Sequence, residues 1–114
     1  MERHQPIVAG LPAATAAAAP VLDKYSGEAF AEIGVPQRGD VERAVAAAHG
    51  ARDAMRALTA HQRSEIVRRA AAQLASRKDE LALAIAREAG KPLKYAAFEV
   101  ARTVENLEYC AEEA

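Results

Sequence analysis

The spacing of apolar residues changes once along the chain, near residue 36, and this change constrains the fold more than any other feature. Residues 1–35 carry three of the five prolines and three of the six glycines, and their apolar residues fall in short clusters typical of strands and turns. From Asp40 onward, apolar residues recur at the spacings of an amphipathic helix. The sequence therefore predicts N-terminal strands and loops in residues 1–35 and a helical part in residues 36–114.

The apolar clusters of the first part predict two or three short strands, at 7–9, 20–22 and 29–33. Gly27 supplies a turn between the last two strands, because glycine takes a positive φ without steric cost. We expect a small antiparallel β excursion here, with residues 16–19 left as loop.

About four helices are predicted in the second part, and the sequence leaves open whether the second and third join at Ser76. The first, at about 40–57, has Asp40 as its N-cap, and the second begins at a capping box headed by Thr59. The third ends at Gly90, a good left-handed C-terminal residue, and the fourth starts at Pro92, which tolerates the first helical turn.

The fourth helix carries a narrow seam of apolar residues whose spacings alternate between four and three. One packed contact line fits this pattern. The seam consists of Leu93, Ala97, Val100, Val104, Leu107 and Ala111.

The chain is poor in large apolar side chains. About a quarter of its residues are alanine, aromatic residues make 4%, and there is no Trp. Leu, Ile, Val and Phe together make roughly a fifth, near the level at which burial barely offsets the entropy of ordering. We therefore expect the helical faces to pack partly on one another, to stay partly exposed, and to depend on further structure for complete burial.

The charge balance excludes some classes of partner. A net charge of −1, from 15 basic and 16 acidic residues, produces no positive electrostatic potential that would attract nucleic acid or an anionic membrane. One cysteine cannot form an internal disulfide, which favours a reducing compartment, the cytoplasm by default. The alanine-rich run after Arg3 loosely imitates a secretory signal, but Pro6 and Pro12 argue against one.

Cys110 is the obvious candidate for a nucleophile. A reactive thiol needs an electropositive setting or a nearby base, whereas Glu108 and Glu112 lie close to this one in sequence. We expect Cys110 to have a structural role.

The remaining candidates also favour structural roles. His4, His49 and His61 share no helical ligand spacing. Lys91 lies in a Gly-Lys-Pro sequence that lacks the further glycines of a phosphate-binding loop. A basic stretch is predicted to be a solvated face. It consists of Arg63, Arg68, Arg69, Arg77 and Lys78. The sequence thus predicts no catalytic, cofactor-binding or metal-binding residue within this chain.

Six short motifs follow one another in an order that resembles the opening of aldehyde dehydrogenases. Each motif is weak alone, but six in order with similar gaps are hard to obtain by accident. They are the Ser26-Gly27-Glu28 turn, the helix from Asp40, the helix opened by Arg63, the Leu81 helix, Gly90-Lys91-Pro92, and the helix from Glu99 to Ala111. The match runs from about Ile7 to Ala114 and departs from the family in having no Trp.

The resemblance implies an α-rich α+β fragment of an aldehyde-dehydrogenase-like α/β fold, within the cofactor-domain region. Enzymes of the family oxidise an aldehyde to a carboxylate with NAD or NADP through a Cys thiolate and a Glu that activates water. In the family those residues lie at positions that correspond to sequence beyond Ala114, so the resemblance assigns no catalytic role to any residue of this chain. We expect this chain alone to be inactive, to bind no cofactor and to lack the remainder of a dehydrogenase. Family members are homo-oligomers.

Two other hypotheses remain open. The chain could serve as an interaction or complementation subunit that docks by the seam on a partner chain, or it could be an unrelated α-helical binding module. Within the family, Arg102 and the Glu112-Glu113-Ala114 ending look closest to the branch that acts on small phosphorylated or hydroxylated aldehydes.

Overall fold

A computed structural model describes all residues from 1 to 114 and contains five strands and four helices. The chain forms two compact units, Met1–Arg56 and Ala57–Ala114. The α-rich α+β class expected from the sequence is confirmed. The strands are β1 (Glu2–His4), β2 (Ile7–Val8), β3 (Leu11–Pro12), β4 (Ala17–Leu22) and β5 (Ala29–Val35), and the helices are α1 (Arg38–Ala57), α2 (Ala60–Ser76), α3 (Lys78–Ala89) and α4 (Leu93–Glu113).

The first unit contains a three-stranded sheet in which β5 lies between β1 and β4. β4 pairs antiparallel with β5, as expected, and β1 pairs with β5 in parallel, which the sequence did not indicate. The prediction of a loop at 16–19 was wrong for Ala17, Ala18 and Ala19, which all pair with β5, and right for Ala16, which precedes the strand. Strand pairing uses backbone groups, so an alanine run can join a sheet despite its helix propensity.

Gly34 in β5 lies where two loop side chains come close to the sheet. A Cβ on Gly34 would lie 2.5 Å from Gln5 Oε1 and closer still to Thr15 Oγ1. Gln5 Oε1 accepts hydrogen bonds from Thr15 N at 3.2 Å and from Thr15 Oγ1 at 3.1 Å. Arg3 Nη2 donates to the Thr15 carbonyl at 2.8 Å. Glycine is therefore the residue that lets this network lie directly on β5.

Two tight turns complete the β part. Ala9 and Gly10 join β2 to β3 with φ values of 54° and 80°, the positive pair of a two-residue hairpin turn. Between β4 and β5, Asp23 Oδ1 accepts from the backbone N–H groups of Tyr25 and Ser26, and Gly27 takes a φ of 75°. The predicted Gly27 turn is confirmed.

Helix α1 starts two residues before its predicted start. Asp40 lies inside the first turn, where its Oδ2 accepts from the Gln37 N–H at 2.7 Å and its Oδ1 pairs with Arg43. The prediction of Asp40 as N-cap was therefore wrong, although its carboxylate does satisfy a free N–H at this end. No residue of α1 is buried, and Val45 is 64% exposed.

In the second unit, α4 packs against both α2 and α3, which touch each other much less. Ala82, Ala96 and Val100 form the core between α3 and α4, with Leu81 and Ile85 packed against it. Because these central side chains are small, little apolar area is removed from water at each contact.

The local signals for the ends of these helices are confirmed. The capping box of Thr59 and Gln62 is formed in full at the start of α2. Gly90 ends α3 with the left-handed φ of 66°, and Pro92 is the N-cap of α4. None of the helices has the length and apolar character required to cross a membrane.

Candidate functional site

The Gly90-Lys91-Pro92 segment connects α3 to α4 and fixes the start of α4. The Pro92 carbonyl accepts from the N–H groups of Tyr95 and Ala96, which begins the helical hydrogen bonding. Lys91 Nζ forms a half-buried ion pair with the Glu99 carboxylate, two turns into the helix. The lysine side chain therefore stabilises the connection through this ion pair instead of extending freely into solvent.

A second set of polar contacts lies at the C-terminal end of α4. Arg63 Nη1 donates to the Leu58 carbonyl at 2.6 Å, and its Nη2 donates to the main-chain oxygen of Ala114 at 3.1 Å. Arg68 pairs with Glu112 one turn further along α2. Arg63 and Arg68, which were predicted to lie on a solvated face, thus contact the C-terminal end of α4. The helix dipole favours positive charges at this position.

Elsewhere on the basic stretch, Arg77 and Glu80 pair across the first turn of α3. Arg77 Nε donates to Glu80 Oε2 at 2.9 Å. The hydrogen bond from Arg77 lowers the pKa of Glu80, and the same bond raises the pKa of Arg77. Both groups are exposed, so the pair mainly orders the start of the helix.

Cys110 and the histidines do not come together. Cys110 is exposed on α4, and His4 lies in β1 with its Nδ1 3.9 Å from Glu2 Oε1. His49 lies within α1 and His61 in the first turn of α2. No group of three or more His, Cys, Asp or Glu side chains has the arrangement of a metal site.

Helix α4 carries its predicted apolar seam on one side and exposed aromatic side chains on the opposite side. The predicted seam faces α2 and α3, with Val100 and Ala111 buried, so it is largely occupied within the chain. On the other side lies the feature that sequence reasoning missed, which we call the aromatic stripe. It consists of Tyr95, Phe98, Arg102 and Tyr109.

The aromatic stripe is open to solvent. Tyr95, Phe98 and Tyr109 are 56%, 68% and 74% exposed, and the Lys94 ammonium lies 4.9 Å from the centroid of the Tyr95 ring. Spacings of three, four and seven along this set are helical and could have revealed the stripe.

Comparison with known protein families shows which class of protein this chain belongs to. The model of the aldehyde dehydrogenase family matches residues 12–114, so the chain belongs to that family. A 3-sulfolactaldehyde dehydrogenase from Priestia megaterium is 39% identical to it over 95 residues. That alignment covers 82% of this chain and 19% of the Priestia protein.

Solved structures agree with the family assignment. Aldehyde dehydrogenase 21 from Physcomitrella patens, in complex with the reaction product succinate, superimposes with a TM-score of 0.94 at 30% identity, over 98% of this chain. An NAD-dependent aldehyde dehydrogenase from Sinorhizobium meliloti gives 0.91 at 28% identity, over 97%. The chain spans 24% and 23% of those two proteins, respectively.

Proposed function

We propose that this chain is the N-terminal part of an oxidoreductase that oxidises an aldehyde to a carboxylate with NAD or NADP. The observation that carries the proposal is the agreement, over nearly the whole chain, of the family match at residues 12–114 with a TM-score of 0.94 to an aldehyde dehydrogenase. Residues 1–35 are its N-terminal strands and loops, and residues 36–114 belong to its cofactor-domain region.

The role of the chain in this proposal is structural. Lys91 and Arg63 are engaged in contacts that hold α4, and Cys110 is exposed on the same helix. The nucleophile, the water-activating carboxylate and the cofactor site belong to the rest of the dehydrogenase, which makes the 114-residue chain inactive alone. NAD in the name of the Sinorhizobium protein supports a nicotinamide cofactor for the whole enzyme.

Two relatives support a proposal for the substrate class. The Priestia protein acts on 3-sulfolactaldehyde, and the Physcomitrella structure holds succinate. Both names point to small aldehydes with an anionic group at the far end, which extends the phosphorylated or hydroxylated class expected from the sequence. We further propose a cytoplasmic location, since the single cysteine favours a reducing compartment, and a homo-oligomeric whole enzyme, as the family resemblance implies.

A chimera tests the proposal. The part of the Priestia dehydrogenase that aligns with this chain is replaced by the corresponding residues of this chain, and formation of reduced cofactor from 3-sulfolactaldehyde is followed by absorbance. We expect turnover by the chimera and none by the 114-residue chain. A soluble, folded chimera without turnover, or turnover by the 114-residue chain itself, would contradict the proposal.

The complementation hypothesis needs a free docking surface. The seam on α4 is largely covered by α2 and α3, so that hypothesis has to use a different face.

A further inference from the structure

We draw no further inference here: the strongest candidate, the groove beside α4 lined by Arg68, Glu105, Glu108, Tyr109 and Glu112, is a cluster of surface carboxylates in which Arg68 is already paired with Glu112, and nothing in the structure points to a ligand that would bind there.

Discussion

The guanidinium of Arg63 donates a hydrogen bond to the main-chain oxygen of Ala114, 51 residues away, at 3.1 Å. Its other donor reaches the Leu58 carbonyl at 2.6 Å. One half-buried side chain thereby joins the entry to α2 with the end of α4. The planar fork of arginine suits this geometry, whereas a lysine ammonium cannot reach two separated carbonyl oxygens in the same way.

Replacing Arg63 should loosen the second unit. We expect Arg63→Lys to lower the free energy of unfolding by about 1–2 kcal/mol, because hydrogen bonds from a charged donor are among the stronger ones. Thermal unfolding followed by circular dichroism measures the change. Arg69→Lys, on an exposed arginine of the same helix, should leave the midpoint unchanged. Equal effects of the two substitutions would contradict the bridging role.

Adding a methyl group at Gly34 should destabilise the sheet. The new Cβ would displace Thr15 and Gln5, whose mutual hydrogen bonds hold the N-terminal loop on β5. We expect Gly34→Ala to cost about 1–2 kcal/mol, the scale of one or two lost hydrogen bonds.

Gly50→Ala is the matched control for Gly34→Ala. Nothing lies within 4 Å of a Cβ at Gly50, which is inside α1. Alanine is a better helix former, so this change should stabilise the helix by up to about 1 kcal/mol. Hydrogen exchange of the β5 and α1 amides separates the two effects, and protection lost in β5 after Gly34→Ala is the expected result.

Enlarging the centre of the second unit should be costly. Ala96 is fully buried beside Ala82, where α3 and α4 approach each other. We expect Ala96→Leu to destabilise the unit by about 1–3 kcal/mol through overpacking. Ala51→Leu, on the exposed surface of α1, should be close to neutral when measured by the same thermal melts.

The carboxyl of Glu80 should titrate below the ordinary pH range of a glutamate, because it accepts hydrogen bonds from Arg77. A carboxyl whose pKa is lower in the folded state stabilises that state above its unfolded pKa, and this contribution fades as the pH falls through the folded pKa. Arg77→Gln should raise the pKa of Glu80, as measured by carboxyl-carbon NMR. An unchanged titration would show that the ion pair does not persist in solution.

Local chemistry made the ends of the helices predictable from sequence. The capping box at Thr59 and the left-handed Gly90 depend on residues three or fewer positions apart, so the sequence carries the whole signal. Residues 17–19 were mistaken for loop because their strand forms through long-range backbone pairing. Asp40 was misplaced because an aspartate can satisfy a free N–H from inside the first turn as well as from the cap.

The two sides of α4 show the same limit for the candidate site. The seam was predicted from its spacing, and the structure places it against α2 and α3. The spacing of Tyr95, Phe98 and Tyr109 is equally helical, but spacing does not say which side of the helix is covered within the chain and which side stays exposed. The packing of α4 on α2 and α3, and not the residue spacing, therefore distinguishes the exposed aromatic stripe from the covered seam.

The small side chains at the centre of the second unit have a consequence for its response to urea. Ala82, Ala96 and Val100 expose little apolar surface on unfolding, and the slope of free energy against denaturant concentration scales with the surface that becomes exposed. A shallow slope spreads the transition over a wide concentration range. The second unit on its own should therefore unfold over a wide range of urea concentrations. Covalent attachment to a larger folded body would narrow that range, because more surface would then be exposed on unfolding.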